Sequence, residues 1–61
     1  MKFSLKELRA RKNETQGETA NAVGVSKTTY VAWEKDVSKV AISKVAALAK
    51  HFEVDISEIK Y

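Results

Sequence analysis

The sequence predicts an all-α domain of five short helices. Apolar residues recur at the three- and four-residue spacing of helices, and pairs of residues with capping-box spacing mark several helix starts. The apolar and polar alternation typical of strands is missing, and no proline interrupts a helix. Sixty-one residues have room for one small core, so we expect a single domain over residues 1–61.

The first helix is expected over about residues 5–12. Ser4 and Glu7 have the spacing of a capping box, in which each side chain accepts a hydrogen bond from an otherwise unpaired backbone amide. Leu5 and Leu8 then face inward. Asn13 follows, and asparagine tolerates the left-handed conformation that often ends a helix.

The second and third helices are expected as a tight pair. Thr15 and Glu18 form another capping box, which sets a helix start at Gln16. That helix should stop at Gly24, because glycine adopts the left-handed conformation at no steric cost. Ser26 is the expected cap of the third helix, which should run to about residue 35.

Within this pair, the apolar side chains are predicted to face the core and the second helix to be the weaker. Tyr30 and Trp33 lie three residues apart on one face of the third helix. In the second helix Gly17 costs about 1 kcal/mol relative to alanine. Glu14 and Thr19, where apolar staple partners are common, are both polar.

The last two helices are predicted over about residues 42–51 and just after Asp55. Ala41 is a poor cap, so the start of the fourth helix is weakly defined. Asp55 and Glu58 have capping-box spacing and predict a short fifth helix. The apolar face expected on the fourth helix consists of Ile42, Val45, Leu48, Ala49 and Phe52.

Residues 16–35 carry the spacing of a known motif. A 20-residue window opening at Gln16 has alanine at position 20, glycine at position 24 and apolar residues at the expected positions. The run GVSKTTYVAWEKD and the later L-A-K-x-F-x-V, residues 48–54, extend the similarity over most of the chain. On these residues the chain resembles helix-turn-helix regulators of the phage repressor and Cro family. The resemblance implies a compact, repressor-like DNA-binding domain.

In such proteins the third helix lies in the DNA major groove and reads base edges. Lys27 and Thr28 can donate hydrogen bonds to bases, and threonine also offers a methyl group to thymine. Val31 and Ala32, one turn on, suit thymine methyl groups. We therefore expect these four residues to read the DNA sequence. The ordinary alternative for Lys27 is a solvated lysine at a helix start.

The predicted phosphate contacts are Gln16, Ser26, Lys35 and Lys39. Gln16 opens the second helix, and the resemblance implies that its amide contacts a phosphate. Exposed lysines near helix ends are common without any ligand, so a purely structural role for Lys35 and Lys39 stays open. The family resemblance also pairs Arg9 with Glu34, as an ion pair joining the first helix to the third.

The charge distribution favours an anionic partner, with nucleic acid first, and the family resemblance implies that this partner is double-stranded DNA. Residues 1–39 hold eight Lys or Arg and five Asp or Glu, whereas residues 40–61 are balanced. No nucleophile-base set, phosphate loop, metal-ligand spacing, cysteine or membrane-length apolar run is present. His51 is adequately explained by a contact with a helix end. We expect a non-enzymatic protein without metal or cofactor, small-molecule substrate or membrane association, acting in the cytoplasm of a bacterial or phage-infected cell near the nucleoid.

Assembly and context leave alternatives. A homodimer on a pseudo-palindromic operator is the preferred hypothesis. Apolar residues of the C-terminal part could form the dimer contact or fill the domain's own core: Val40, Ile56, Ile59 and Tyr61. The alternatives are a protein-interaction module of the same fold, such as an antitoxin or anti-regulator, and the DNA-binding domain of a longer repressor.

Overall fold

Residues 2–60, the part of the chain that the computed structural model describes, form four α-helices and two short 3-10 turns. The α-helices are α1 Leu5–Arg11, α2 Gln16–Ala22, α3 Lys27–Lys35 and α4 Ile42–Phe52, and the turns are Val37–Lys39 and Ile56–Glu58. The predicted all-α class is confirmed.

The predicted helix starts are confirmed by their caps. Both capping boxes at α1 and α2 are formed, with the Ser4 and Thr15 hydroxyls each accepting a backbone N–H at 3.1 Å. Ser26 caps α3 by accepting the Thr29 N–H at 3.2 Å. Ala41 precedes α4 without a side-chain cap, as expected. Local pairs three residues apart therefore fix three of the four starts.

Three helices end in the same way, with a residue in the left-handed conformation. The residues are Asn13 after α1, Gly24 after α2 and Glu53 after α4, with φ of 58°, 76° and 59°. After α2, Gly24 N–H donates to Asn21 O and Val25 N–H to Ala20 O, which is the Schellman arrangement. The turn between α2 and α3 is thereby closed by backbone hydrogen bonds on the α2 side.

The core lies between the four helices. Tyr30, Leu48 and Val45 are its largest fully buried apolar side chains, and Thr19 is buried with them. The remaining core residues are Leu5, Leu8, Ala20, Val23, Trp33, Val40, Ala49, Phe52 and Ile59. This burial holds α3 against the body through one face and leaves its other face free.

The predicted fifth helix is wrong in type. The Asp55–Glu58 capping box is formed, but it opens a single 3-10 turn. Directly after this turn the backbone is extended and pairs with the N-terminal segment, with Phe3 N–H donating to Glu58 O and Lys60 N–H to Phe3 O, both at 2.7 Å. This pairing uses the backbone groups that a continuing helix would need.

The fourth helix also differs from its prediction. It continues to Phe52, and Ile42 is 76% exposed instead of facing the core. Of the residues left open between core and dimer contact, Val40 and Ile59 are buried in the core and Ile56 is 47% exposed. Tyr61 lies outside the described residues. None of the helices within residues 2–60 is long and apolar enough to cross a membrane.

The two glycines should respond oppositely to alanine. A Cβ at Gly17 would meet only ordinary van der Waals contacts, so Gly17→Ala should raise the free energy of unfolding by about 0.5 to 1 kcal/mol. Gly24 has a positive φ, so Gly24→Ala should lower the free energy of unfolding by about 1 kcal/mol. Urea unfolding measures both changes, and stabilisation by Gly24→Ala would contradict the turn described above.

Candidate nucleic-acid interface

The outward face of α3 carries a shallow depression. It is lined by the four predicted base-reading residues together with one predicted phosphate contact: Lys27, Thr28, Val31, Ala32 and Lys35. Val31 is half-buried and the other four are exposed. The structure thus brings five residues singled out by the sequence onto one accessible face.

The opposite face of α3 is anchored by aromatic side chains. Tyr30 is fully buried and Trp33 is 7% exposed. Their rings lie edge to face, with centroids 6.3 Å apart and planes at 67°. Because the aromatic residues occupy the inner face, small and charged residues alone form the outer one.

The Glu34 carboxylate connects three helices. Arg9 of α1 donates from Nε to Glu34 Oε2 at 2.7 Å, and Gln16 of α2 donates from Nε2 to Oε1 at 3.0 Å. A second Arg9 contact, from Nη2 to Oε1, measures 3.5 Å. The side chains of Arg9 and Glu34 are only 17% and 8% exposed, so the predicted pair is present and largely shielded from water.

The same cluster shifts the acid–base equilibria of Glu34 and Tyr30. Burial alone would raise the pKa of Glu34, but hydrogen bonds from Arg9 and Gln16 outweigh it and hold that pKa below its ordinary value. Burial, and then the neighbouring Glu34 carboxylate, raise the pKa of the Tyr30 hydroxyl. That hydroxyl makes no hydrogen bond of acceptable geometry within residues 2–60. Glu34 is therefore charged and Tyr30 neutral at neutral pH.

The other predicted phosphate contacts are placed differently from one another. Gln16 uses one amide N–H for Glu34, which leaves its other N–H available. Ser26 is occupied as a cap, accepting the Thr29 N–H and donating to Thr29 Oγ1 at 3.0 Å. Lys39 is exposed in the 3-10 turn after α3 and does not line the depression.

A polar cluster around the buried Thr19 was not predicted from the sequence. Glu14 Oε1 accepts the Thr19 hydroxyl at 2.7 Å and lies 2.7 Å from His51 Nε2. Burial would raise the pKa of Glu14, but these two hydrogen bonds outweigh it and lower that pKa. The polar pair at positions 14 and 19 was a visible signal, whereas the third member, His51, lies 37 residues away from Glu14.

A second unpredicted contact braces the turn between α2 and α3. Lys44 Nζ of α4 lies 3.4 Å from the carbonyl oxygen of Val23, the C-cap residue directly after α2. A cation is favourable at this end of a helix. Within residues 2–60 no group of three or more His, Cys, Asp or Glu side chains is arranged to hold a metal ion.

The polar cluster can be tested at Thr19. Thr19→Val keeps the volume but removes a hydrogen bond to a charged, partly buried carboxylate, so the free energy of unfolding should fall by about 1 to 2 kcal/mol. Thr28→Val, on the exposed face, is the matched control and should change it by less than about 0.5 kcal/mol. Equal effects in urea unfolding would contradict a stabilising role for the Thr19 bond.

Acid should destabilise the fold partly through Glu34. Because its folded pKa lies below the ordinary value of 4.5, its contribution is complete above that pH and is lost as pH falls through the folded pKa. Glu14 acts in the same direction. Urea midpoints between pH 6 and pH 3 should therefore fall less steeply for Glu34→Gln than for the wild type.

The control for this titration is Glu53→Gln. Glu53 is exposed and makes no side-chain hydrogen bond within residues 2–60, and glutamine keeps its size. Its urea midpoint should fall more steeply with decreasing pH than that of Glu34→Gln, because the Glu34 carboxylate and its bonds from Arg9 and Gln16 remain in place. If the urea midpoint of Glu34→Gln fell with pH as steeply as that of the wild type, Glu34 would not contribute to the loss of stability in acid.

Comparison with known proteins agrees with this architecture. A family model described as helix-turn-helix matches residues 5–59. The cryptic phage CTXphi transcriptional repressor RstR of Vibrio cholerae is 38% identical over 55 residues, which cover 90% of this chain and 50% of that protein. The chain thus spans about half the length of this curated relative. No solved structure matches the chain significantly.

The predicted family resemblance is confirmed by these matches. The matched region contains all four α-helices and both 3-10 turns of the described structure. It includes the α2–α3 pair, the Arg9–Glu34 link and the outward face of α3. The chain belongs to the helix-turn-helix family.

Proposed function

We propose that this protein is a sequence-specific regulator of transcription of the repressor type, which binds double-stranded DNA with α3 in the major groove. The observation that carries the proposal is the depression on α3, whose lining offers both hydrogen-bond donors and methyl groups. Helix-turn-helix proteins place the second helix of the motif, which is α3 here, in the major groove. The similarity to a protein named as a transcriptional repressor supports the same conclusion.

The chemistry of the α3 face suits base edges. The Lys27 ammonium donates to guanine O6 and N7, and the Thr28 hydroxyl serves as donor or acceptor. Val31 and Ala32 provide apolar contact for thymine methyl groups and leave no polar group unsatisfied. We propose that these four residues supply the sequence preference.

The proposed phosphate contacts are Gln16, Ser26, Lys35 and Lys39. One amide N–H of Gln16 has no partner within residues 2–60, and Lys35 and Lys39 carry exposed positive charges at and beyond the end of α3. Ser26 can contribute at the start of α3 only alongside its capping bonds. Each lysine that neutralises a phosphate should steepen the log-log dependence of affinity on salt by about 0.9.

We propose a homodimer as the binding species. A symmetric pair places two copies of α3 in successive major grooves about 34 to 36 Å apart, which requires a pseudo-palindromic operator. The large apolar side chains exposed within residues 2–60 are Ile42 and Ile56, and either gives an association surface an apolar component. Residues 1–61 form one domain in this proposal. Because the match covers only half of the relative, this domain could also be the DNA-binding part of a longer repressor.

A DNA-binding regulator acts where the DNA lies, so we place its action in the cytoplasm, at the nucleoid of a bacterial or phage-infected cell. Catalysis, a cofactor and a small-molecule substrate have no part in the proposed role. An antitoxin or anti-regulator of this fold would instead bind another protein and be indifferent to DNA sequence.

Selection from a random duplex library tests the proposal directly. The wild type should enrich a pseudo-palindromic sequence, with affinity that falls as salt rises. Failure to enrich any sequence at low salt would overturn the regulator function and favour the protein-interaction alternative.

Two substitutions should separate base from phosphate contacts. Lys27→Ala should cost about 1 to 3 kcal/mol on the selected site and relax the preference at one base position. Gln16→Ala should weaken binding to selected and random duplexes alike, because phosphates carry no sequence information. Equal losses on both duplexes for Lys27→Ala would end its role in reading a base.

A further inference from the structure

The side chain of Lys27 lies beside Gly17 of α2. Lys27 is the first residue of α3, and a Cβ placed on Gly17, the second residue of α2, would lie 3.9 Å from Lys27 Cδ. Apart from the neighbouring residues of Gly17 and the backbone of α2, the other atom of residues 2–60 within 4 Å of that Cβ position is Thr15 Oγ1 at 4.0 Å. The space beside the lysine stem at Gly17 thus has room for a Cβ but for little more.

The position of the Lys27 stem beside Gly17 determines where its ammonium group lies. Lysine has a flexible four-carbon stem and loses about 2 kcal/mol of rotamer entropy when it is fixed. A stem that packs against a surface restricts those rotamers while the ammonium stays in water. A single methylene separates Cδ from Nζ, so the position of Cδ beside Gly17 places the ammonium near α2 at the edge of the α3 depression.

A larger residue at position 17 would compete for the same space. At 3.9 Å an alanine Cβ makes an ordinary contact with the lysine stem, but a further carbon directed the same way would not fit beside it. Gly17 is half-buried and is not part of the hydrophobic core. A bulky side chain there would therefore move Lys27 before it disturbed the packing of the helices.

We propose that Gly17 is a specificity-determining position of the DNA interface, because it fixes the direction from which Lys27 reaches the DNA. This inference rests on the proposed function, in which Lys27 reads a base. Gly17 itself makes no base contact in the proposal and acts as a positioning residue. Its effect on sequence preference passes through one side chain, and that makes it separable from a general effect on folding.

The test combines Gly17→Leu with Lys27→Ala in a double-mutant cycle, with base preference at each operator position as the readout. Gly17→Leu should change the preference at the position that Lys27→Ala also affects, by about fivefold or more. When Lys27 is already alanine, Gly17→Leu should change that preference by less than about twofold, because the residue it acts on is gone.

Controls separate this effect from misfolding and from bulk. Ala22→Leu adds the same side chain at an exposed position of α2, about 140° around the helix from Gly17, and should leave every base preference unchanged. Thermal unfolding followed by circular dichroism checks that each variant folds. Gly17→Met, with its unbranched side chain, replaces Gly17→Leu if the latter fails that check.

The outcomes distinguish the inference from the function on which it rests. If the wild type selects a sequence but the bulky variants keep all its preferences, the role of Gly17 is overturned and the regulator function stands. The same holds if they weaken all duplexes equally, or shift preference as much without Lys27 as with it. If the wild type selects no sequence, both proposals fail.

Discussion

The arrangement of α1, α2 and α3 depends on one carboxylate. Glu34 lies on α3 and accepts hydrogen bonds from Arg9 of α1 and Gln16 of α2, so the helix that carries the exposed face is tied to both preceding helices at one point. The ion pair is shielded from water, and a buried pair is most costly when one partner is missing. Charge-assisted hydrogen bonds also constrain angle as well as distance, which apolar packing does less strictly. Glu34 therefore fixes the orientation of α3, while Tyr30 and Trp33 provide most of its burial.

The second helix shows what happens when apolar packing is scarce. Its seven residues include only Thr19 and Ala20 as buried side chains. Polar interactions make up the difference: the Thr15 and Glu18 box at its start, the Thr19 bond to Glu14, and the Gln16 bond to Glu34. The weakness expected from Gly17 is thus offset by contacts that are specific in direction. A helix held in this way depends more on the charge of Glu14 and Glu34 than one held by leucines would.

How much the sequence predicted depends on the distance over which each feature is encoded. Helix starts at Ser4, Thr15 and Ser26 are encoded by residues three positions apart, and they were predicted correctly. The pairing of Arg9 with Glu34 followed only from a family resemblance, because 25 residues separate them. The bond between Glu14 and His51 spans 37 residues, and neither local chemistry nor the resemblance indicated it. The prediction of a fifth helix was wrong for the same reason, because the backbone of that segment forms hydrogen bonds with Phe3 near the other end of the chain.

The outward face of α3 was easier to predict than the contacts behind it, because exposure is what remains once the buried residues are assigned. With Tyr30 and Trp33 in the core, helical geometry places Thr28, Val31 and Ala32 on the other side of α3. Thr28 and Ala32 are exposed there, as is Lys27 at the start of the helix, and Val31 is half-buried. The direction of a long side chain on that face is a different matter, since it depends on the neighbouring helix. The stem of Lys27 lies beside Gly17. From the sequence, this glycine predicted only a lower stability of α2. The same glycine that weakens α2 also leaves space for the longest side chain at the start of α3, so stability and the geometry of the exposed face are coupled at one position.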